Sequence, residues 1–133
     1  MSNRVRGSVP NAFHFRLAQT ASDGQKQSGF VLAALNGKAD ALRRMISIGV
    51  DVNSPSEALY SHGTPLHHAV CSGSLDAVKV LVEGGAKLDV KDTAWQGTPL
   101  GWAEYYQREK KSDDDVKRYA GIAAYLREKE GQG

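Results

Sequence analysis

Apolar residues recur along this chain at helical spacing, in short stripes cut off by glycine. Leu75, Val78, Leu81 and Val82 form one stripe, the pattern that gathers side chains on a single helix face. Ala39, Leu42, Met45 and Ile46 form an earlier one, and Ile122, Tyr125 and Leu126 a later one. A second helical segment precedes each stripe. Thr64 suits the N-cap of such a segment, since its hydroxyl can accept from a first-turn amide. Pro65 follows at the first helical position, where an N–H is not needed. Gly73 can take the left-handed conformation that ends that helix, Gly84 and Gly85 stop the next, and Gly49 stops the earlier stripe.

The stripes belong to a repeat. Gly37, Asp40 and Leu42 align without gaps on Gly73, Asp76 and Val78, 36 residues on, and Met45, Ile46 and Gly49 then fall on Leu81, Val82 and Gly85. Upstream, Ser28, Phe30 and Ala33 fall on Thr64, Leu66 and Ala69. A third copy opens with Gly97, Thr98, Pro99, Leu100 and Ala103, matching Gly63, Thr64, Pro65, Leu66 and Ala69 at an offset of 34. Each unit predicts two short helices and a loop, with helices near 28–36, 39–48, 64–72, 75–83, 98–107 and 116–130. One helix pair cannot bury its apolar face alone, so the units must stack into a continuous core. The polar segments 53–63 and 89–97 should project from that stack, and Pro55 discourages helix in the first of them.

Both ends depart from the pattern. After Tyr105 and Tyr106 comes a charged run, 108–115, and the offset of the last stripe rises to 44, so about ten residues are inserted. That run is expected to be a solvated loop. The final helix carries Arg127, Glu128, Lys129 and Glu130, the polar outer face of a C-terminal cap. At the other end, Phe13, Phe15, Leu17 and Ala18 fit a capping helix over about 11–20, followed by a polar loop over 22–27. The expected organisation is a basic arm and capping helix over 1–27, then a repeat domain over 28–133 with units at about 28–61, 62–95 and 96–131.

With Gly63-Thr64-Pro65-Leu66-His67, Ala69, Gly73-Ser74-Leu75, Leu81-Val82 and Gly85-Ala86 in view, units two and three resemble the ankyrin repeat, most closely short bacterial ankyrin-repeat proteins. The resemblance runs from about residue 28 to 131 and implies an all-α helical solenoid of about three ankyrin repeats with terminal caps. It also implies outward β-turn fingers, and protein recognition through the fingertips and the concave face of the first helices. Thr64, Pro65, His67, Gly73, Gly85, Thr98 and Pro99 are then the structural positions. The family's finger-bridging histidine is present only as His67, because Val31 and Gly101 stand at the equivalent sites of units one and three. Carried over residue by residue, the family's variable surface positions are Leu35, Asn36, Cys71, Ser72, Tyr105 and Tyr106 on the first helices. Tyr60, His62, Trp95 and Gln96 add to them on the fingers.

Composition adds little beyond exclusions. Net charge is +2, too small by itself to argue for nucleic acid, although Arg4, Arg6, Arg16 and Lys26 face only Asp23 in the first 27 residues. The lone cysteine, Cys71, cannot form an internal disulfide, and no apolar run approaches the roughly 20 residues of a membrane helix, so a cytoplasmic location is the expectation. His67 and Cys71 lie one helical turn apart with His62 and His68 nearby, yet structural zinc takes four ligands at recognisable spacing; no metal and no cofactor are expected. No nucleophile motif, metalloprotease motif, phosphate loop or dinucleotide fingerprint occurs, so no enzyme activity is expected.

The aromatic residues are more informative. Tyrosine and tryptophan offer large contact areas with a polar tip and concentrate at interfaces. Trp95, Tyr105 and Tyr106 form the richest group, and Trp102 takes a core-leucine position and is expected to pack. Two fates are open to the tyrosine pair: exposure as a binding hot spot, or burial beneath the 108–115 insertion. Three function classes follow. A module binding another protein leads, with the chain a monomer or weak homodimer. An accessory or regulatory subunit of an enzyme complex is the alternative, and nucleic-acid binding through the basic arm comes last.

Overall fold

The computed structural model describes residues 22–110 and 112–132. Six helices run through them: α1 Asp23–Leu35, α2 Ala39–Ser47, α3 Pro65–Ser72, α4 Leu75–Glu83, α5 Pro99–Glu109 and α6 Asp113–Gln132. No strand occurs among the described residues. Helices α1, α3 and α5 pack side by side in one row, α2, α4 and α6 form a second, and each helix pair closes across the rows. The solenoid expected from the repeat is therefore the fold. The capping helix expected over 11–20 lies outside the described residues.

The stripes become one core. Phe30, Leu42, Leu66, Val70, Val78, Leu81, Ile122 and Leu126 are buried, and Met45, Ile46, Leu75, Val82 and Tyr125 pack partly buried against that core. Thr64 caps α3 by accepting the His67 amide, and Thr98 caps α5 by accepting the Gly101 amide at 3.1 Å. Pro65 and Pro99 open those helices. Gly73 and Gly85 are left-handed, at φ 76° and 101°. At Gly73 space forbids a side chain as well, because a Cβ there would meet Arg118 Cδ at 2.8 Å.

Helix ends differ from expectation at two places. The polar loop expected over 22–27 is instead the start of α1. Ser22 Oγ accepts the Gln25 amide at 3.1 Å while Gln25 Oε1 accepts the Ser22 amide at 2.9 Å, a reciprocal cap that lets a polar segment begin a helix. Gln27 then reaches across to the Asp51 and Ser54 carbonyls, tying α1 to the loop that follows α2. The charged run 108–115 is likewise mostly helix: α5 continues to Glu109 and α6 begins at Asp113. Asp113, Asp114 and Asp115 occupy the first turn of α6, where carboxylates complement the positive helix end, and Ser112 Oγ accepts the Asp115 amide. The inserted residues lengthen two helices and leave a short connection.

Two substitutions separate these contributions. Ser22→Ala is expected to cost about 1 kcal/mol through loss of the cap. Val78→Ala is expected to cost about 2 kcal/mol by opening a core cavity. Urea unfolding measures both, and an unchanged midpoint for Ser22→Ala would return residues 22–27 to a loop.

Candidate functional site

Loops 48–64 and 84–98 join the helix pairs as two fingers, and a buried carboxylate organises the second. Asp92 is 1% exposed. Its Oδ1 accepts from the Ala94 amide at 2.8 Å and the Trp95 amide at 2.5 Å, and its Oδ2 accepts from the Gly97 amide and the Trp102 indole N–H, both at 2.8 Å. Burial drives the Asp92 pKa upward, but these donors together outweigh it and hold the group at about 2. The first finger repeats the device in weaker form. Ser56, 36 residues earlier, is buried, accepts from the Ala58 and Leu59 amides and shares a hydrogen bond with Ser28. Tyr60 and Gln96, again 36 apart, both take positive φ, 50° and 59°, a conformation uncommon for residues other than glycine. Ser61 and His62 then precede Gly63, whereas Gln96 is followed directly by Gly97. Those two extra residues account for the change of offset from 36 to 34.

His67 ties this finger to α3. Its Nδ1 accepts the Thr64 amide at 3.1 Å, so the proton sits on Nε2, which donates to the Gly97 carbonyl at 2.9 Å. His68, also buried, donates from Nε2 to the Tyr60 carbonyl at 3.1 Å. Burial lowers the pKa of both histidines and keeps them neutral, with neighbouring histidine charge adding to the effect. Between fingers, the Thr93 amide donates to the His62 carbonyl. Asn53 bridges Gly85 and Lys87 with both ends of its amide.

Above this frame lies a groove of about 490 Å³, lined by Trp95, Gly97, Gly101, Trp102, Tyr105 and Tyr106. Trp95 is 73% exposed and Tyr105 52%. His62 stands edge-on to Trp95 at 5.6 Å and stacks on Trp102 at 5.9 Å, joining the first finger to the groove, while Tyr60 lies 6.0 Å from His68. Trp102 also packs on His67 at 4.8 Å, so it both packs, as expected, and forms part of the groove wall.

Of the two fates left open for the tyrosine pair, Tyr105 takes exposure and Tyr106 takes partial cover. The Tyr106 hydroxyl donates to Cys71 Sγ at 3.4 Å, its ring lies 5.1 Å from Tyr119 of α6, and Lys110 sits over it at 5.4 Å. The cover comes from α6 and Lys110, because the inserted segment is helical. Burial, then the Cys71 contact, pushes the Tyr106 phenol pKa up. Cys71 is occupied on the same side, its carbonyl accepting from Tyr119 at 2.7 Å, and Ser72 Oγ turns back to the Ala69 carbonyl. Leu35 and Asn36 at the end of α1, like Gln96, are not among the groove's walls. Among the described residues no group of three or more His, Cys, Asp or Glu could hold a metal ion, and no helix is long and apolar enough to cross a membrane.

Sequence reasoning passed over Asp92 and Ser56. The available signal was their register, an Asp and a Ser 36 apart, each of a type that accepts from amides two and three residues on.

The buried histidines set a pH dependence. Above about pH 6.5 they are neutral in the folded and unfolded chain alike and contribute no slope. Below it the unfolded chain takes up protons that the folded chain refuses. Stability therefore falls with falling pH, by at most about 1.4 kcal/mol per pH unit for each histidine. Asp92 acts in a lower window, its contribution present above pH 3.8 and lost as the pH falls towards about 2. Urea unfolding between about pH 7.5 and 5.5 is expected to show the first decline, and a flat profile would contradict neutral, buried imidazoles.

Comparison with known proteins matches this architecture. A family profile described as ankyrin repeats, in three copies, covers residues 13–111. An ankyrin repeat-containing protein of Schizosaccharomyces pombe is 32% identical over 108 residues, 76% of this chain and 50% of that protein. A potassium channel of Arabidopsis thaliana is 40% identical over 83 residues, 61% of this chain but 10% of the channel. A cyclin-dependent kinase 4 inhibitor B of Mus musculus is 28% identical over 130 residues, 75% of this chain and 95% of the inhibitor. The chain thus spans a tenth of the channel and half of the yeast protein. With its two rows of helices, its linked fingers and a family profile over most of its length, the chain belongs to the ankyrin-repeat family.

Proposed function

We propose that this chain is a protein-interaction module that docks a partner on the aromatic groove of its third unit, without chemistry of its own. One observation carries the reading: exposed Trp95 and Tyr105 flank a groove whose other aromatic walls, Trp102 and Tyr106, are held by hydrogen bonds from beneath. Exposed aromatic side chains over a fixed base can bury large areas at little cost in side-chain entropy. Tyr60, 56% exposed, and His62 extend the surface onto the first finger. Cys71 and Ser72 are peripheral, since their polar groups are already engaged within the fold.

Family membership supports the reading. So does the relative named as an inhibitor of a cyclin-dependent kinase, a protein whose name describes action on another protein. The groove lies where the stack changes character. Gly101 stands where unit two carries His67, so no ring bridges onward from α5, and bare backbone at Gly97 and Gly101 lines the groove.

Affinity purification at native expression, followed by mass spectrometry, identifies what the chain retains. Trp95→Ala and Tyr105→Ala are each expected to weaken that complex by about 2 kcal/mol, near thirtyfold, while leaving the unfolding midpoint unchanged because both side chains are exposed. Retention of the same partner at unchanged affinity by the double variant would exclude the groove as the docking face.

A further inference from the structure

We propose that the groove selects a cationic side chain, and specifically that an arginine of a partner's peptide segment inserts between its aromatic walls. The inference rests on the groove being the docking face and adds the chemistry of its occupant.

Three features point to a cation. The walls are the side chains of Trp95, Trp102, Tyr105 and Tyr106, with Trp95 and Trp102 edge to face at 6.1 Å and 71°, and Tyr105 and Tyr106 likewise at 5.5 Å and 70°. Aromatic faces carry negative electrostatic potential and attract cations within about 6 Å of the ring centre. Among the described residues no charged side chain lines the groove itself. Beneath it lies Asp92, buried, ionised and in none of the salt bridges found among the described residues. Its negative charge is bonded to the Trp102 indole and to the Gly97 amide, both part of the groove, and so lies one hydrogen bond behind its wall. One wall residue already holds a cation outside the groove: Lys110 places its ammonium 5.4 Å from the Tyr106 ring and 5.9 Å from that of Tyr119.

The donor count around Asp92 selects arginine over lysine. Each of its oxygens already accepts two hydrogen bonds, so neither is left to strip water from an ammonium by direct contact. A guanidinium is planar, weakly hydrated and stacks on aromatic faces, so it enters such a site with a smaller loss of solvation.

The test uses capped tripeptides, glycine–X–glycine, with X as arginine, citrulline, lysine or leucine. Citrulline keeps the shape of arginine and removes its charge. Trp95 and Trp102 are the only tryptophans in the chain, so their two indole N–H signals in a nitrogen–proton NMR spectrum report on the groove directly. The arginine peptide is expected to shift both signals and to bind about fivefold to thirtyfold more tightly than the citrulline and leucine peptides. Lysine is expected to fall between. Trp95→Leu and Tyr105→Leu, both at exposed positions, should each remove most of the arginine advantage. Citrulline or lysine binding as tightly as arginine would overturn the proposal, as would the absence of any shift. The two readings fail separately. A captured partner lost on Trp95→Ala, with arginine and citrulline peptides behaving alike, keeps the docking face and removes its cationic occupant. Arginine selectivity with a partner indifferent to Trp95→Ala keeps the chemistry of the groove and removes the groove as that partner's docking face.

Discussion

A buried carboxylate with no salt-bridge partner among the described residues must find hydrogen-bond donors, and the second finger is folded around that requirement. Asp92 takes three amides from its own loop and one indole from α5, and Gly97 closes the circuit by giving its carbonyl to His67 on α3. Leaving such a charge unsatisfied would cost far more than any single neutral hydrogen bond contributes. The loop therefore has little freedom to adopt another shape. Space adds to the constraint, because a Cβ on Gly97 would sit 3.0 Å from Trp102 Cδ1 and 3.2 Å from Asp92 Oδ2. Trp102 is thereby held against His67, and Trp95 is left facing outward. Aromatic exposure on the third unit is thus a product of polar satisfaction below it.

What the chain declares in its sequence is the part governed by local periodicity. The stripe through Val78 and Leu81, the Thr64–Pro65 helix start and the Gly73 stop are local codes, and all three stand in the structure as read. Ser22 with Gln25 was an equally local code, obscured by the polar residues around it. The start of α6 was harder, since three consecutive aspartates read as a solvated run until a helix end supplies the field that favours them. Tyr106 could not be assigned from its own helix at all. Its cover is Tyr119, 13 residues on and beyond an insertion that had displaced the repeat register. Asp92 was missed for a related reason: an aspartate in a polar loop shows its role only when the donors it gathers are seen in space.

The two fingers make the point by contrast. Ser56 and Asp92 hold equivalent places, but a hydroxyl gathers two amides where the carboxylate gathers three amides and an indole. The finger with the stronger node carries the groove. The first finger is tied to it through the His62 carbonyl and Asn53, so the recognition surface spans two loops that belong to one hydrogen-bonded unit. An interface built on such a frame loses little freedom on binding, which is how a small module gains affinity from limited area.

A preformed groove requires the second finger to be as firmly built as the helices it joins. Hydrogen exchange followed by NMR in the free protein measures this directly at the Gly97 amide and the Trp102 indole. Both protons donate to Asp92 and are predicted to exchange as slowly as the hydrogen-bonded core amides of α3, from His68 to Val70, opening only when the domain unfolds. Exchange at both sites near the rate of an unstructured peptide, with α3 still protected, would mean that the finger opens on its own and that the groove is not a preformed surface.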